Sequence, residues 1–247
     1  VLARDVLFTD DTPMRVLVPG LGRTRQARLW VYRTGTGPPL VVYDYSPDRS
    51  QDWPLAFLAP YRGYLHADAY SGYDQVFLSE TISEVGCWVH ARRYFDDAVS
   101  SAPGEATEML GRIRGLYRLE HTARDLTDAA RAALRQQQGK PLIEQIFQRA
   151  EAWRPAALPK SPLGQGVTYL LNQRVALQRY LEDGRLRPDN NLAENLIRPL
   201  ALGRKNWLFL GSDRGGRAAA LFSSLLQSCR LHGLNPQAYL QDVLDRI

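Results

Sequence analysis

Five acidic side chains stand where the sequence could build chemistry. Asp10 and Asp11 lie in the apolar-flanked run Leu7-Phe-Thr-Asp-Asp-Thr-Pro-Met-Arg-Val16, Asp44 lies in Val42-Tyr-Asp-Tyr-Ser-Pro47, and Asp68 ends Tyr64-Leu-His-Ala. A carboxylate held against a sheet core costs free energy unless a cation or a metal ion compensates it. Each aspartate also has a plainer reading as a turn residue, because Pro13, Pro47 and Gly72 follow closely. Glu194 lies in Asp189-Asn-Asn-Leu-Ala-Glu194-Asn-Leu-Ile-Arg198. There Asn191 and Glu194 have the spacing of a capping box, and Glu194 and Arg198 that of a helical ion pair.

Other familiar chemistries find no residues. The chain has no G-x-x-x-x-G-K-[ST] phosphate loop, no G-x-G-x-x-G after a strand and no G-x-S-x-G elbow. Cys87-Trp-Val-His90 offers two ligands, short of a tetrahedral zinc site, and core packing accounts for it better.

The elements that must position these acids follow from spacing. Short apolar runs at Val6–Val18, Ala27–Tyr32, Leu40–Tyr45, Tyr64–Asp68 and Val85–Val89 read as strands, with a short helix at Ser50–Leu58. From Ala91 to Asp183 the spacing is helical, with breaks at Gly139–Pro141 and Pro155–Pro162. A third region has a helix starting near Asp189, an apolar run Trp207–Leu210, and closing helices at Arg217–Leu231 and Pro236–Ile247. Strands first and helices later imply an α/β chain with a mixed sheet.

Composition narrows the partners. The 247 residues are 45% hydrophobic and 23% charged, enough for a proper core. No apolar stretch approaches the ~18 residues of a membrane span. Two cysteines, Cys87 and Cys229, favour a reducing cytoplasm over a disulfide scaffold. The start on Val1, without a methionine, suggests a fragment or a processed chain. The net charge of +5 is concentrated between Arg198 and His232, where six basic residues face Asp213 alone. Such a field attracts polyanions, nucleic acid above all, although a solvated helix face has the same composition.

Five strings, in order, resemble the catalytic domain of bacterial transposases of the insertion-sequence sixty-six family. They are Thr9-Asp-Asp-Thr-Pro13, Gly63-Tyr-Leu-His-Ala-Asp-Ala-Tyr-Ser-Gly-Tyr73, Gly86-Cys-Trp-Val-His-Ala-Arg-Arg93, Asp189-Asn-Asn-Leu-Ala-Glu194, and Leu202-Gly-Arg-Lys-Asn-Trp207 through Gly211-Ser-Asp-Arg-Gly-Gly216. The resemblance implies a ribonuclease-H-like fold: a five-stranded mixed sheet with flanking helices and a helical insertion before the last catalytic helix. The core then occupies residues 1–98 and 184–247, and the insertion 99–183, in keeping with the 126 residues between Asp68 and Glu194.

It further implies that Asp10, Asp68 and Glu194 are the catalytic, metal-binding acids, with Asp11 the rival for the first place. Cys87, His90, Asn190 and Asn191 would be accessory. The implied activity is a DDE-type one, in which Mg²⁺, or Mn²⁺ in its place, serves hydrolysis at element ends and transfer of the 3′-hydroxyl to target DNA. Three carboxylates suffice as protein ligands for such ions. Arg198, Arg204, Lys205, Arg214 and Arg217 would then hold phosphates. Trp207 could stack on an exposed base, although Leu208-Phe-Leu210 beside it favours core packing. The expected partners are double-stranded element ends and target DNA, bound by a homo-oligomer, with a separate N-terminal region recognising the ends. The expected home is the bacterial cytoplasm, at the nucleoid, with no membrane. Two other functions are compatible: a catalytically inactive DNA-binding or assembly module, and a ribonuclease-H-like nuclease of branched DNA.

Overall fold

In a computed structural model that describes residues 1–20 and 22–246, the chain forms two compact units. One comprises Val1–Ser83 with Asn191–Ile247, the other Glu84–Asn190.

The first unit carries a mixed sheet. Strands β1 (Val6–Leu17), β2 (Thr24–Thr34) and β3 (Val41–Ser46) form an antiparallel meander, and β4 (Gly63–His66) returns parallel to β1. With β5 (Ile82–Val85) the order is β3-β2-β1-β4-β5, the ribonuclease-H-like α/β arrangement that the motifs imply. β1 is central and covered on both faces, which is why Val6-Leu-Phe-Thr9 is uninterrupted rather than alternating in burial.

Register sorts its residues. Leu7, Thr9 and Asp11 pair with Thr34, Tyr32 and Trp30, on the face covered by Tyr61, Tyr73 and the helices α1 (Asp52–Leu58) and α2 (Asp74–Phe77). The alternate residues Phe8, Asp10, Thr12 and Met14 face the other way.

Two long helices pack on the sheet. α9 (Asn191–Trp207) lies against β1 and β2, and α10 (Asp213–Leu231) against β3. The edge strand β3 is held to both: the Tyr43 hydroxyl donates to the Leu196 carbonyl at 2.7 Å, and the Tyr43 N–H to Ser224 Oγ at 2.8 Å. An edge N–H satisfied by a helix side chain is closed to a foreign strand. The string Gly211–Gly216 is the docking joint of α10. Ser212 caps the helix through the Gly215 N–H, Asp213 accepts from Arg25 and from the Tyr45 hydroxyl, and Gly216 meets the Tyr45 ring so closely that a Cβ would stand 2.3 Å from it. α11 (Pro236–Asp245) closes the chain.

The second unit is helical: α3 (Trp88–Ala98), α4 (Pro103–Thr122), α5 (Asp128–Leu134), α6 (Lys140–Trp153), α7 (Pro162–Asn172) and α8 (Arg174–Arg179). Trp88, Phe95, Met109, Ile113, Leu116 and Phe147 fill its core.

Two expectations are corrected here. The fifth strand ends at Val85, and Trp88-Val89 belong to α3, because a short apolar run does not distinguish a strand from a buried helix start. Gly139–Pro141 does not break the helix. α5 runs into α6 through a π-helical turn at Arg135–Gly139, and widening the ladder there accommodates Pro141, which cannot donate to it.

That turn presents a buried arginine. The Arg135 guanidinium pairs in a fork with Glu120, at 2.9 and 2.7 Å, and donates to the carbonyls of Tyr180, Asp183 and Leu186. Removing one partner of such a pair leaves the other charge buried. Arg135→Met is therefore expected to destabilise the chain by roughly 3–5 kcal/mol. A denaturant titration checks this, and an unchanged midpoint would show the clamp to be dispensable.

Candidate active site

The first acid comes from β1 and the second from just past β4. In the parallel pair Phe8 sits opposite His66, and the two rings stack 3.9 Å apart at 6°. Two residues further along each chain, on that same face by the period of two, come Asp10 and Asp68. Beyond Asp68 the chain turns away at once, with Ala69 in the left-handed region at φ 62° and the Tyr70 N–H donating to Asp68 Oδ1 at 3.2 Å. Both aspartates are half-buried, Asp10 within β1 beyond the stretch paired with β4 and Asp68 just past the end of β4.

Glu194 belongs to the first turn of α9, the helix that lies over this face. There the N-terminal dipole suits a negative charge. Pro199 stands inside α9, where it has no N–H to donate to the Asn195 carbonyl.

Asp11, the rival for the first place, points to the opposite face. Its carboxylate is only 2% exposed and is paired with Arg28 at 3.0 Å and Arg49 at 2.7 Å. Arg49 in turn stacks on Tyr70, its guanidinium carbon 3.5 Å from the ring centroid. Asp11 is thus a compensated structural charge. Asp44 lies on that same face, opposite Trp30, and accepts the Tyr45 N–H at 2.9 Å.

Asp10 is in a different electrostatic position. Burial, followed by the charges of Asp68, Asp11 and Glu194, pushes its carboxyl up to about 8, against a lowering contribution from the Asp11 N–H that donates to it at 2.7 Å. Every side-chain charge responsible is acidic. Carboxylates arranged this way favour a bound cation, and an all-oxygen donor set suits a hard divalent one.

The remaining candidates divide between the two units. Arg198, Lys205, Arg214 and Arg217 are exposed on α9 and α10, while Arg204 is half-buried and donates to the Pro13 carbonyl of β1. Trp207 is 39% exposed at the end of α9, so the core packing suggested by its apolar neighbours is corrected: Leu208 and Phe209 are exposed as well. The physical reason is local. Leu208 adopts φ 58°, and Leu210 is bonded to Arg15 and Leu17 at the β1 edge, which swings the run outward instead of under the sheet.

Asn191 is the exposed first residue of α9. In the second unit, Cys87 is buried, outside any disulfide, at the start of α3, where its Sγ accepts the Asn190 N–H at 3.3 Å, and His90 lies on the first turn of that helix. Spacing alone missed Arg28 and Arg49, because nothing in the sequence pairs them with Asp11 before the register is known.

The chain has known relatives along its full described length. The profile described as "Transposase IS66 family" matches residues 1–218, and that described as "IS66 C-terminal element" matches residues 224–247. Similar proteins of Sinorhizobium fredii (strain NBRC 101917 / NGR234) include Uncharacterized protein y4qI, 37% identical over 98% of this chain and 47% of its own length. Uncharacterized protein y4hP is 31% identical over 100% of this chain and 49% of its own length, and Uncharacterized protein y4jD 32% identical over 98% and 50%. The chain thus spans about half the length of the curated relatives it matches.

The raised pKa of Asp10 has a sign that can be checked. A carboxyl ordinarily near 3.8 and held at about 8 in the fold favours folding fully below pH 3.8, and that contribution is lost as the pH rises through 8. Without divalent ions, Asp10→Asn is expected to melt at least a few degrees above the unsubstituted chain at pH 8 and beyond, at roughly 2–4 °C per kcal/mol, and to match it near pH 4. Differential scanning calorimetry across that range tests it.

Proposed function

Because the chain belongs to the Transposase IS66 family, we propose that Asp10, Asp68 and Glu194 form the centre at which DNA is cut at element ends and joined to target DNA. The observation that carries this reading is the meeting of an aspartate of β1 and one just past β4, on one sheet face, with the acid of the overlying helix. Asp10 in place of Asp11 is the first acid, since Asp11 already has two arginines.

A pair of Mg²⁺ ions, or Mn²⁺ ions, when bound, supplies activation of the attacking oxygen and stabilisation of the leaving one. The three carboxylates would hold them, and their mutual repulsion fits that task better than it fits an empty sheet face. The rigid elements do the orienting: β1 and β4 fix the aspartates by their register, and Tyr43 ties α9 to the sheet through the Leu196 carbonyl. Arg198, Lys205, Arg214 and Arg217 position phosphates along α9 and α10, contacts that fix the register of DNA without reading its sequence. The substrates are the two ends of the element and a target duplex, handled by more than one copy of the chain. Among the described residues no helix is long and apolar enough to cross a membrane.

Glu194→Gln and Asp68→Asn should each lower Mg²⁺-dependent nicking by more than the ~10–100-fold that loss of an outer metal partner costs, with circular dichroism and duplex affinity unchanged. Mg²⁺ should raise the melting temperature of the unsubstituted chain and not that of Asp10→Asn. Undiminished cleavage by Glu194→Gln would remove the glutamate from the centre. A preference for branched over linear ends would favour the nuclease reading, and binding without cleavage in either metal the assembly module.

A further inference from the structure

A cleft of about 460 Å³ opens at the far end of β1 from the acids. Arg15, Thr24, Gln26, Arg204, Leu208 and Phe209 line it, over Met14. The chain leaving α9 builds its wall. The Phe209 N–H donates to the Trp207 carbonyl at 2.6 Å across Leu208, whose φ of 58° is costly for a side chain of that bulk, and Leu210 is then pinned to β1 through Arg15 and Leu17 at 2.7 and 2.8 Å. The result is a tight, anchored turn that leaves Leu208 61% and Phe209 43% exposed. Strain that keeps apolar side chains in water is a common mark of a functional surface.

The chemistry of the lining narrows the occupant. Two guanidinium groups, an amide, a hydroxyl and an aromatic face suit a phosphate and a nucleobase together. A base can stack on Phe209 only when it is unpaired. The lining draws on both faces of this end of the sheet: Arg15, Gln26 and Thr24 share the register of Asp11, while Met14 shares that of Asp10 and Arg204 comes from α9. Along β1 the cleft lies roughly 10–17 Å from Asp10, about three to five stacked nucleotides.

We propose that this cleft holds an unpaired nucleotide of the DNA strand that passes the carboxylates, with Phe209 stacking on the base and Arg15 on its phosphate. The inference rests on the DNA-processing reading above, and its test is separable from that reading. Metal-free fluorescence anisotropy would compare a labelled blunt duplex with the same duplex carrying a single-stranded end of about five nucleotides. Phe209→Ala and Arg15→Gln, the latter a surface change that spares the fold, should each weaken binding of the tailed duplex roughly 5- to 100-fold and leave the blunt duplex unchanged. Equal weakening of both duplexes, or of neither, overturns the cleft while leaving Glu194-dependent cleavage to judge the catalytic reading. Loss of self-association in Phe209→Ala with tailed-duplex binding intact also overturns it, and assigns the face to a second copy of the chain.

Discussion

Carboxylates repel, and burying them beside one another makes the repulsion stronger because little water remains to screen it. A chain that nevertheless brings Asp10 next to Asp68 needs a rigid reason, and the parallel pairing of β1 with β4 is that reason. Phe8 opposite His66 is the last matched pair, fixed by the stacked rings. Past it the strands carry their acids out on one face, where α9 supplies Glu194. A slip of one residue in this pairing would exchange Asp10 for Asp11 and send the arginine-paired carboxylate to the wrong side.

The same alternation gives the adjacent aspartates opposite electrostatic fates. Asp11 is compensated on the spot, since Arg28 comes from the neighbouring strand and Arg49 is braced by Tyr70, whose hydroxyl donates back to the Arg49 carbonyl at 2.7 Å. Asp10 faces acids. One carboxylate therefore contributes to holding the sheet, while the other is left with a raised pKa among acids. The contrast arises from which side of the pleat each Cβ occupies, not from residue type.

How much of this was legible in the sequence depended on whether a feature is local. The strands of the meander, the late helices and the mixed sheet follow from spacing and turn residues, and the motif resemblance added the ribonuclease-H-like order. Choosing between Asp10 and Asp11 was out of reach, because the choice depends on register with strands that begin 14 and 53 residues after Asp10. The other misreadings were apolar runs taken at face value. Trp88-Val89 looks like a strand until Cys87 is seen to open a helix, and Leu208-Phe209 looks like core until the positive φ of Leu208 turns it outward. Gly139–Pro141 looks like a stop because a π-helical turn has no simple sequence signature.

The string Gly211–Gly216 shows how a motif that resembles part of a catalytic domain can owe its residue types to packing. Asp213 is spent on Arg25 and the Tyr45 hydroxyl, and burial together with that bond pushes the Tyr45 phenol up to about 12, so it remains a donor throughout the physiological range. Gly216 is small because the Tyr45 ring lies against it. These contacts fix the first turn of α10 on β3, and only then do Arg214 and Arg217 acquire a defined outward direction. The basic surface is in this sense a consequence of the sheet: docking through Asp213 and Gly216 sets the angle of the helix, and that angle sets which way its cations face.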